Sequence, residues 1–155
     1  MENIEQNIEV NAPIDMVYNQ WTQFEEFPRF MEGVREVRQL DDKRLHWRAE
    51  IGGKEKEWQA EIMRQVPDQV IAWRSTSGAR NEGEVRFDKA ADGKTRVTLT
   101  MRYEPETAAE KAGGWVGIVS ARVRGDLERF KKFIESRGQE TGAWRGEIHA
   151  GSVSR

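Results

Sequence analysis

The chain contains no cysteine among its 155 residues, which removes disulfides, thiolate metal sites and cysteine nucleophiles together. Histidine is nearly as scarce. His46 and His149 stand far apart, and with carboxylates that the strand register turns outward they predict no metal site; no cofactor is expected either. Long hydrophobic runs are missing too: nothing approaches the ~20 apolar residues of a membrane-spanning helix. The opening Met1-Glu2-Asn3-Ile4-Glu5 lacks the basic-then-apolar order of a signal peptide, so the expectation is a cytoplasmic protein without stable membrane insertion. Nor does one charge dominate. Twenty-five basic and 27 acidic residues leave a net charge of -2, interspersed along the chain, a poor footprint for nucleic acid. Glycine-rich phosphate loops, nucleophile elbows and Walker-type motifs are also absent.

What remains is one domain's length of chain, polar on average (mean hydropathy -0.83) yet carrying six tryptophans. A core concentrated in a few large side chains can leave gaps. Its main periodic feature lies near the C-terminus, where Val116, Val119, Val123, Leu127, Phe130 and Ile134 are spaced 3, 4, 4, 3 and 4 apart. At 3.6 residues per turn these share one helical face. Burying all six would contribute on the order of 9 to 18 kcal/mol before entropy is charged. Thr107 and Glu110 form a capping box ahead of this helix, and Gly138 after Arg137 is a left-handed stop. Gly113-Gly114 interrupts the run, at roughly 1 kcal/mol per glycine, and predicts a bend near Gly113. Ile118 lies about 160 to 200 degrees around the axis from the stripe, so the helix start carries apolar groups on two sides.

The earlier chain alternates. Ile4, Ile8 and Val10 fall on one parity of a strand, with Gln6 as its polar exception. Asn11-Ala12-Pro13 opens a helix with Pro13 at its first position, and Phe27-Pro28-Arg29-Phe30-Met31 marks a short helical turn. From 34 to 103, five turn signals (Asp41-Asp42, Gly52-Gly53, Pro67-Asp68, Ser77-Gly78 and Asp92-Gly93) separate six strands. A two-residue loop at Gly52-Gly53 sets Trp47 opposite Trp58, with Arg48 opposite Glu57 and Arg44 opposite Glu61 on the other face. At Asp92-Gly93 a two-residue loop would mix the faces. A three-residue loop, Ala91-Asp92-Gly93, instead sets Phe87 against Val97, Val85 against Leu99 and Gly83 against Met101, with Asp88 meeting Arg96 and Glu82 meeting Arg102 outside. An antiparallel meander with one apolar face must cover it, and the stripe helix is the obvious cover. Residues 138–155 form a glycine- and serine-rich C-terminal tail without periodicity, expected to be mobile unless Trp144 docks.

This order of elements, with Ile8-Glu9-Val10-Asn11-Ala12-Pro13, the Phe-Pro-x-Phe-Met turn, His46-Trp47, Ile71-Ala72-Trp73-Arg74-Ser75 and Asp126-Leu127-x-x-Phe130-Lys131, resembles the START and Bet v 1-like (SRPBCC) superfamily, in particular its bacterial polyketide cyclase/dehydrase branch. The resemblance covers a domain at residues 1–137. It implies an α+β helix-grip fold: a seven-stranded antiparallel sheet curled around a long C-terminal helix, with two short helices between strands 1 and 2. It further implies a cavity for apolar or amphipathic molecules, since relatives include aromatase/cyclases, lipid and sterol carriers and a quinone-binding group. Fold analogy gives a ligand class and no more.

Trp47, Trp58, Trp73 and Trp115 either line an aromatic pocket or fill a core. The candidate ligand-binding set is Trp47, Trp58, Trp73, Gly83, Phe87, Met101, Tyr103, Trp115, Ile118 and Val119, with Gly83 either leaving ligand space or bending the sheet. Gln6, Ser75, Asn81 and Tyr103 are inward polar residues that orient a ligand or bond to nearby backbone. No convincing acid-base pair is present, and His46 points outward opposite Gln59. The leading reading is a non-catalytic binder of a lipid, polyketide or quinone-like molecule. One alternative is a cyclase, aromatase or dehydratase in which Tyr103 or Asn81 polarises a carbonyl. Another is an interaction module in which Trp115, Ile118 and Trp144 form a contact surface, for a second copy of the chain among other partners.

Overall fold

The computed structural model describes residues 1–155. Strand β1 (Glu2–Val10) leads into helix α1 (Ile14–Trp21) and a 3-10 segment, Phe24–Arg29. Six strands follow: β2 (Val34–Gln39), β3 (Arg44–Ile51), β4 (Lys54–Val66), β5 (Val70–Gly78), β6 (Asn81–Lys89) and β7 (Thr95–Tyr103). Helices α2 (Ala108–Ala112) and α3 (Trp115–Arg137) come next, followed by two short strands, β8 (Glu147–His149) and β9 (Ser152–Ser154). The main sheet runs β1-β7-β6-β5-β4-β3-β2, every pairing antiparallel. With α3 packed into one face of the curled sheet, this is the helix-grip fold.

The two hairpin registers follow their turns. Trp47 faces Trp58, and the indoles stack with centroids 5.5 Å apart and planes 11° apart. Phe87 faces Val97 and Gly83 faces Met101 around a loop in which Asp92 and Gly93 both take positive φ. On the outer face the register holds but most charges choose other partners. Arg102 does pair with Glu82, at 3.3 Å. Arg48 instead reaches Glu36 (3.5 Å), Arg44 reaches Asp41 (2.7 Å), Arg96 reaches Glu9 (3.1 Å), and Glu57 meets His46 (2.9 Å). Glu36 and Glu9 stand directly opposite Arg48 and Arg96 on the other neighbouring strand, so an arginine on a central strand has an opposed carboxylate on either side to choose from, while Asp41 offers Arg44 a partner in the adjacent turn. Two boundaries also move: Pro13 caps α1 from one position before it, and Gly78 still belongs to β5.

The break near Gly113 is real. Gly114 takes φ +73, a left-handed conformation that suits glycine, and separates α2 from α3. Thr107 Oγ1 accepts from the Glu110 N–H (3.1 Å), while the Glu110 carboxylate accepts from the Glu106 N–H (3.0 Å) and not from that of the capping residue. The buried face of α3 is Trp115, Val119, Val123, Leu127, Phe130 and Ile134. Val116 is 39% exposed and drops out of the expected stripe. At this end the helix abuts the Gly52-Gly53 turn, which lies on the Trp115 side: a Cβ on Gly52 would come within 2.8 Å of the indole. Along α3, Gln6 Nε2 donates to Ser120 Oγ (2.8 Å) and Lys131 Nζ donates to Glu9 O (3.0 Å), tying the helix to β1.

Residues 138–155 lie against the preceding elements, the docked alternative to a mobile tail that Trp144 left open. The Thr141 N–H donates to Gln20 Oε1 (2.9 Å), and the Trp144 N–H donates to Thr22 Oγ1 (3.2 Å). Arg145 sits over the Tyr18 ring and pairs with Asp68 at 2.9 Å. Strand β4 outruns β3, whose partners end at Glu61, and Ile148 of β8 pairs with Gln65 along the uncovered stretch. An open ladder edge is thereby closed, and Ile148 is fully buried.

Candidate functional site

Between α3 and the curled sheet lies a cavity of about 140 Å³, lined by 24 residues of which 20 are hydrophobic. Alternation along β3, β4 and β5 aims Trp47, Trp58 and Trp73 into it, and α3 supplies Val119, Val123 and Leu127 from above. Phe27, on the 3-10 segment that proline bends across the sheet end, packs on Trp47 with ring centroids 5.6 Å apart. The aromatic wall is thus fixed on rigid strands and extended by Phe27, which also lines the cavity.

Four lining residues are not hydrophobic: Gly33, Asn81, Arg122 and Asp126. Asn81 Oδ1 accepts from the Trp73 indole N–H (2.8 Å) and its amide donates to Ala79 O (2.9 Å). Burial raises the Asp126 carboxyl, against the pull of the Arg129 guanidinium, the Arg122 charge and the Glu32 backbone N–H. Arg129 Nη2 lies 2.6 Å from Asp126 and its Nη1 lies 3.3 Å from Glu32. Arg122 is half-buried beside Gly33, where a Cβ would meet Glu50 O at 2.4 Å and Arg122 Nη1 at 3.0 Å. Glycine is required here by the Glu50 carbonyl, and its bare Cα also leaves room for the guanidinium to lie alongside.

Of the sequence candidates, the structure brings Trp47, Trp58, Trp73, Met101, Val119 and Asn81 together on the cavity wall. The others lie elsewhere. Phe87 packs edge-on to Tyr18, 5.3 Å between centroids. Gly83 leaves no empty space, because a Cβ there would stand 2.3 Å from Thr100 O and 2.9 Å from the Trp73 ring; it permits close backbone approach. Tyr103 is buried at the β7 end with its hydroxyl unpaired, and burial, then Glu2 and Glu110, raise its pKa. Trp115 is buried under Lys54 and Lys56, whose ammonium groups lie 5.7 and 5.4 Å from its ring. Ile118 is 42% exposed on the surface. Trp115 lies in the core and Trp144 packs against it. Arg122 and Asp126 were not among the candidates; their spacing to Val119 and Val123 was the available signal.

No helix is long and apolar enough to cross a membrane, and no three His, Asp or Glu side chains are grouped to hold a metal.

The family described as polyketide cyclase/dehydrase and lipid transport matches residues 10–132. The chain belongs to this family. Within the polyketide cyclase/dehydrase and lipid transport family, it is 48% identical over 149 residues to an uncharacterized 17.2 kDa protein of Streptomyces lincolnensis, covering 96% of this chain and 99% of that one. A crystal structure of a Deinococcus radiodurans protein is 30% identical, with a TM-score of 0.68 over 88% of this chain and 99% of that one. The Zhui aromatase/cyclase from Streptomyces sp. R1128 shares the fold, with a TM-score of 0.75 over 92% of this chain and 99% of its own at 17% identity. Every cavity-lining residue, from Trp21 to Leu127, falls inside the span that defines the polyketide cyclase/dehydrase family.

Proposed function

We propose that the protein binds a small apolar or amphipathic molecule between sheet and α3. The observation that carries this reading is the hydrophobic lining of the 140 Å³ chamber. A dry cavity of about 150 Å³ accepts a molecule of benzene's size, whereas whole drug-sized ligands occupy ~300 to 1,000 Å³. The chamber therefore takes one ring or its aliphatic equivalent, and anything larger must leave a part at the mouth. The fold shared with an aromatase/cyclase and membership of a family described as including lipid transport support the ligand class.

Toluene titrated into the protein, followed by the indole N–H resonances of Trp47, Trp58 and Trp73, is expected to shift them saturably. In Ala49→Leu, which adds three carbons to a buried lining position, the shifts should vanish while the fold persists. Toluene without saturable effect on the wild type would sink the reading.

A further inference from the structure

We infer that Arg122 holds the carboxylate of a monoanionic amphipathic ligand whose apolar end enters the chamber, an assignment that rests on the binding reading above. The other polar groups of the lining are already spent. Both polar atoms of the Asn81 side chain are engaged, Oδ1 by Trp73 and Nδ2 by Ala79. Asp126 is turned toward Arg129, three residues on, and Arg129 also donates to Phe30 O (3.0 Å) and pairs with Glu32. That leaves Arg122, which would be the ordinary i,i+4 partner of Asp126, without an ion pair or side-chain hydrogen bond of its own. Its five N–H donors form a planar fork suited to a carboxylate.

The position fits the task. Arg122 follows Val119 and precedes Val123 on the face of α3 that roofs the chamber, and it rests against Gly33 at the edge of the sheet. A molecule with one ring in the chamber would carry its first substituent outward to this guanidinium. The neighbouring carboxylates of Asp126 and Glu32 limit the charge that is welcome there: one negative charge meets one unpaired cation, and a second would be repelled. A carboxylate is favoured over a phosphate or phosphonate on that ground.

Benzoate, benzamide, toluene and phenylphosphonate, titrated at pH 8 into the wild type, Arg122→Gln and Arg122→Lys, separate the outcomes. Benzoate is expected to bind the wild type at least tenfold more tightly than its neutral isostere benzamide, and more tightly than phenylphosphonate. Arg122→Gln should abolish that advantage and Arg122→Lys should keep part of it; because Arg122 also lines the chamber, the readout is the benzoate-to-benzamide ratio within each variant, and saturable toluene binding reports that the chamber persists. Equal affinities for benzoate and benzamide, or an advantage that survives in Arg122→Gln, overturn the role of Arg122 while toluene binding keeps the chamber reading. Tighter phenylphosphonate than benzoate overturns the choice of carboxylate. Failure of toluene and benzoate alike overturns both readings.

Discussion

The indole nitrogen of Trp73 donates to Asn81 Oδ1 across 2.8 Å, and the same asparagine's backbone N–H donates to Ser75 Oγ across 2.9 Å. Two of the polar residues that alternation points inward are therefore used to lock β5 to β6. Their pairing keeps the chamber wall apolar, because a buried donor that is satisfied within the wall asks nothing of a ligand.

Asn81→Ala removes the side-chain half of that lock and keeps the backbone bond to Ser75, without touching the hydrophobic lining. The Trp73 N–H is then left unpaired beside a hydrophobic space, which costs about 1 to 3 kcal/mol. Urea denaturation should show that loss. A loss below ~0.5 kcal/mol would mean that the indole finds another acceptor.

Acid should reveal the latch between α2 and the β3–β4 hairpin. Burial alone would raise the Glu110 carboxyl, but Lys56 (2.8 Å), the Glu106 N–H and Lys54 (3.1 Å) hold it down at about 2, against an ordinary 4.5. A carboxyl depressed on folding contributes stability that is present above its unfolded pKa and is lost as pH falls through the folded one. Glu110→Gln should melt below the wild type at pH 6, and the gap should close as the pH is lowered from about 4.5 toward 2. Thermal melts at pH 6, 4 and 3 check this; a gap constant over that range would contradict the latch.

The segment after α3 should behave as part of the fold. Ile148 is fully buried, and Ile148→Ala should lose about 2 to 5 kcal/mol in urea denaturation. Removing residues 139–155 should lose more, and should also expose the ladder edge of β4 around Gln65, so that sedimentation shows association absent from the full chain. A shortened chain that melts with the wild type and stays unassociated would contradict both.

Two hairpin registers were legible because each depends on a local signal: Gly52-Gly53 and Asp92-Gly93 fix loop lengths, and period-two alternation then aims the side chains around them, whereas the β4–β5 pairing carries register shifts at Gln59/Ala60 and Ile62/Arg64 that alternation does not encode. The buried face of α3 was legible from Val119 onward for the same reason, its period being 3.6. Val116 and Trp115 exchanged places because the partner at that end of the helix is a turn whose position no periodicity encodes. Ile148 stood out from no pattern, since a three-residue strand gains its burial only from an edge 83 positions earlier, at Gln65. Arg122 and Asp126 are charged residues on a helix that is mostly polar by composition, and sequence pattern places such residues in solvent. Arg122 meets the chamber beside the irregular passage at Gly33, where a glycine just ahead of β2 brings backbone next to its guanidinium.

The bond from Gln6 to Ser120 has a consequence at some distance from itself. A helix held only by aliphatic side chains fits its groove nearly as well after sliding one turn, about 5.4 Å. Such a slip would leave the Gln6 amide without its hydroxyl in a largely apolar setting, so one axial setting of α3 is singled out. In the slipped settings Ile118 or Asp126 would stand where Arg122 now stands, presenting the mouth with a hydrocarbon or an anion. The lysine bond from Lys131 to the Glu9 carbonyl would be lost in the same slip, so the sign of the charge that α3 presents to the chamber is set by two polar ties to the first strand.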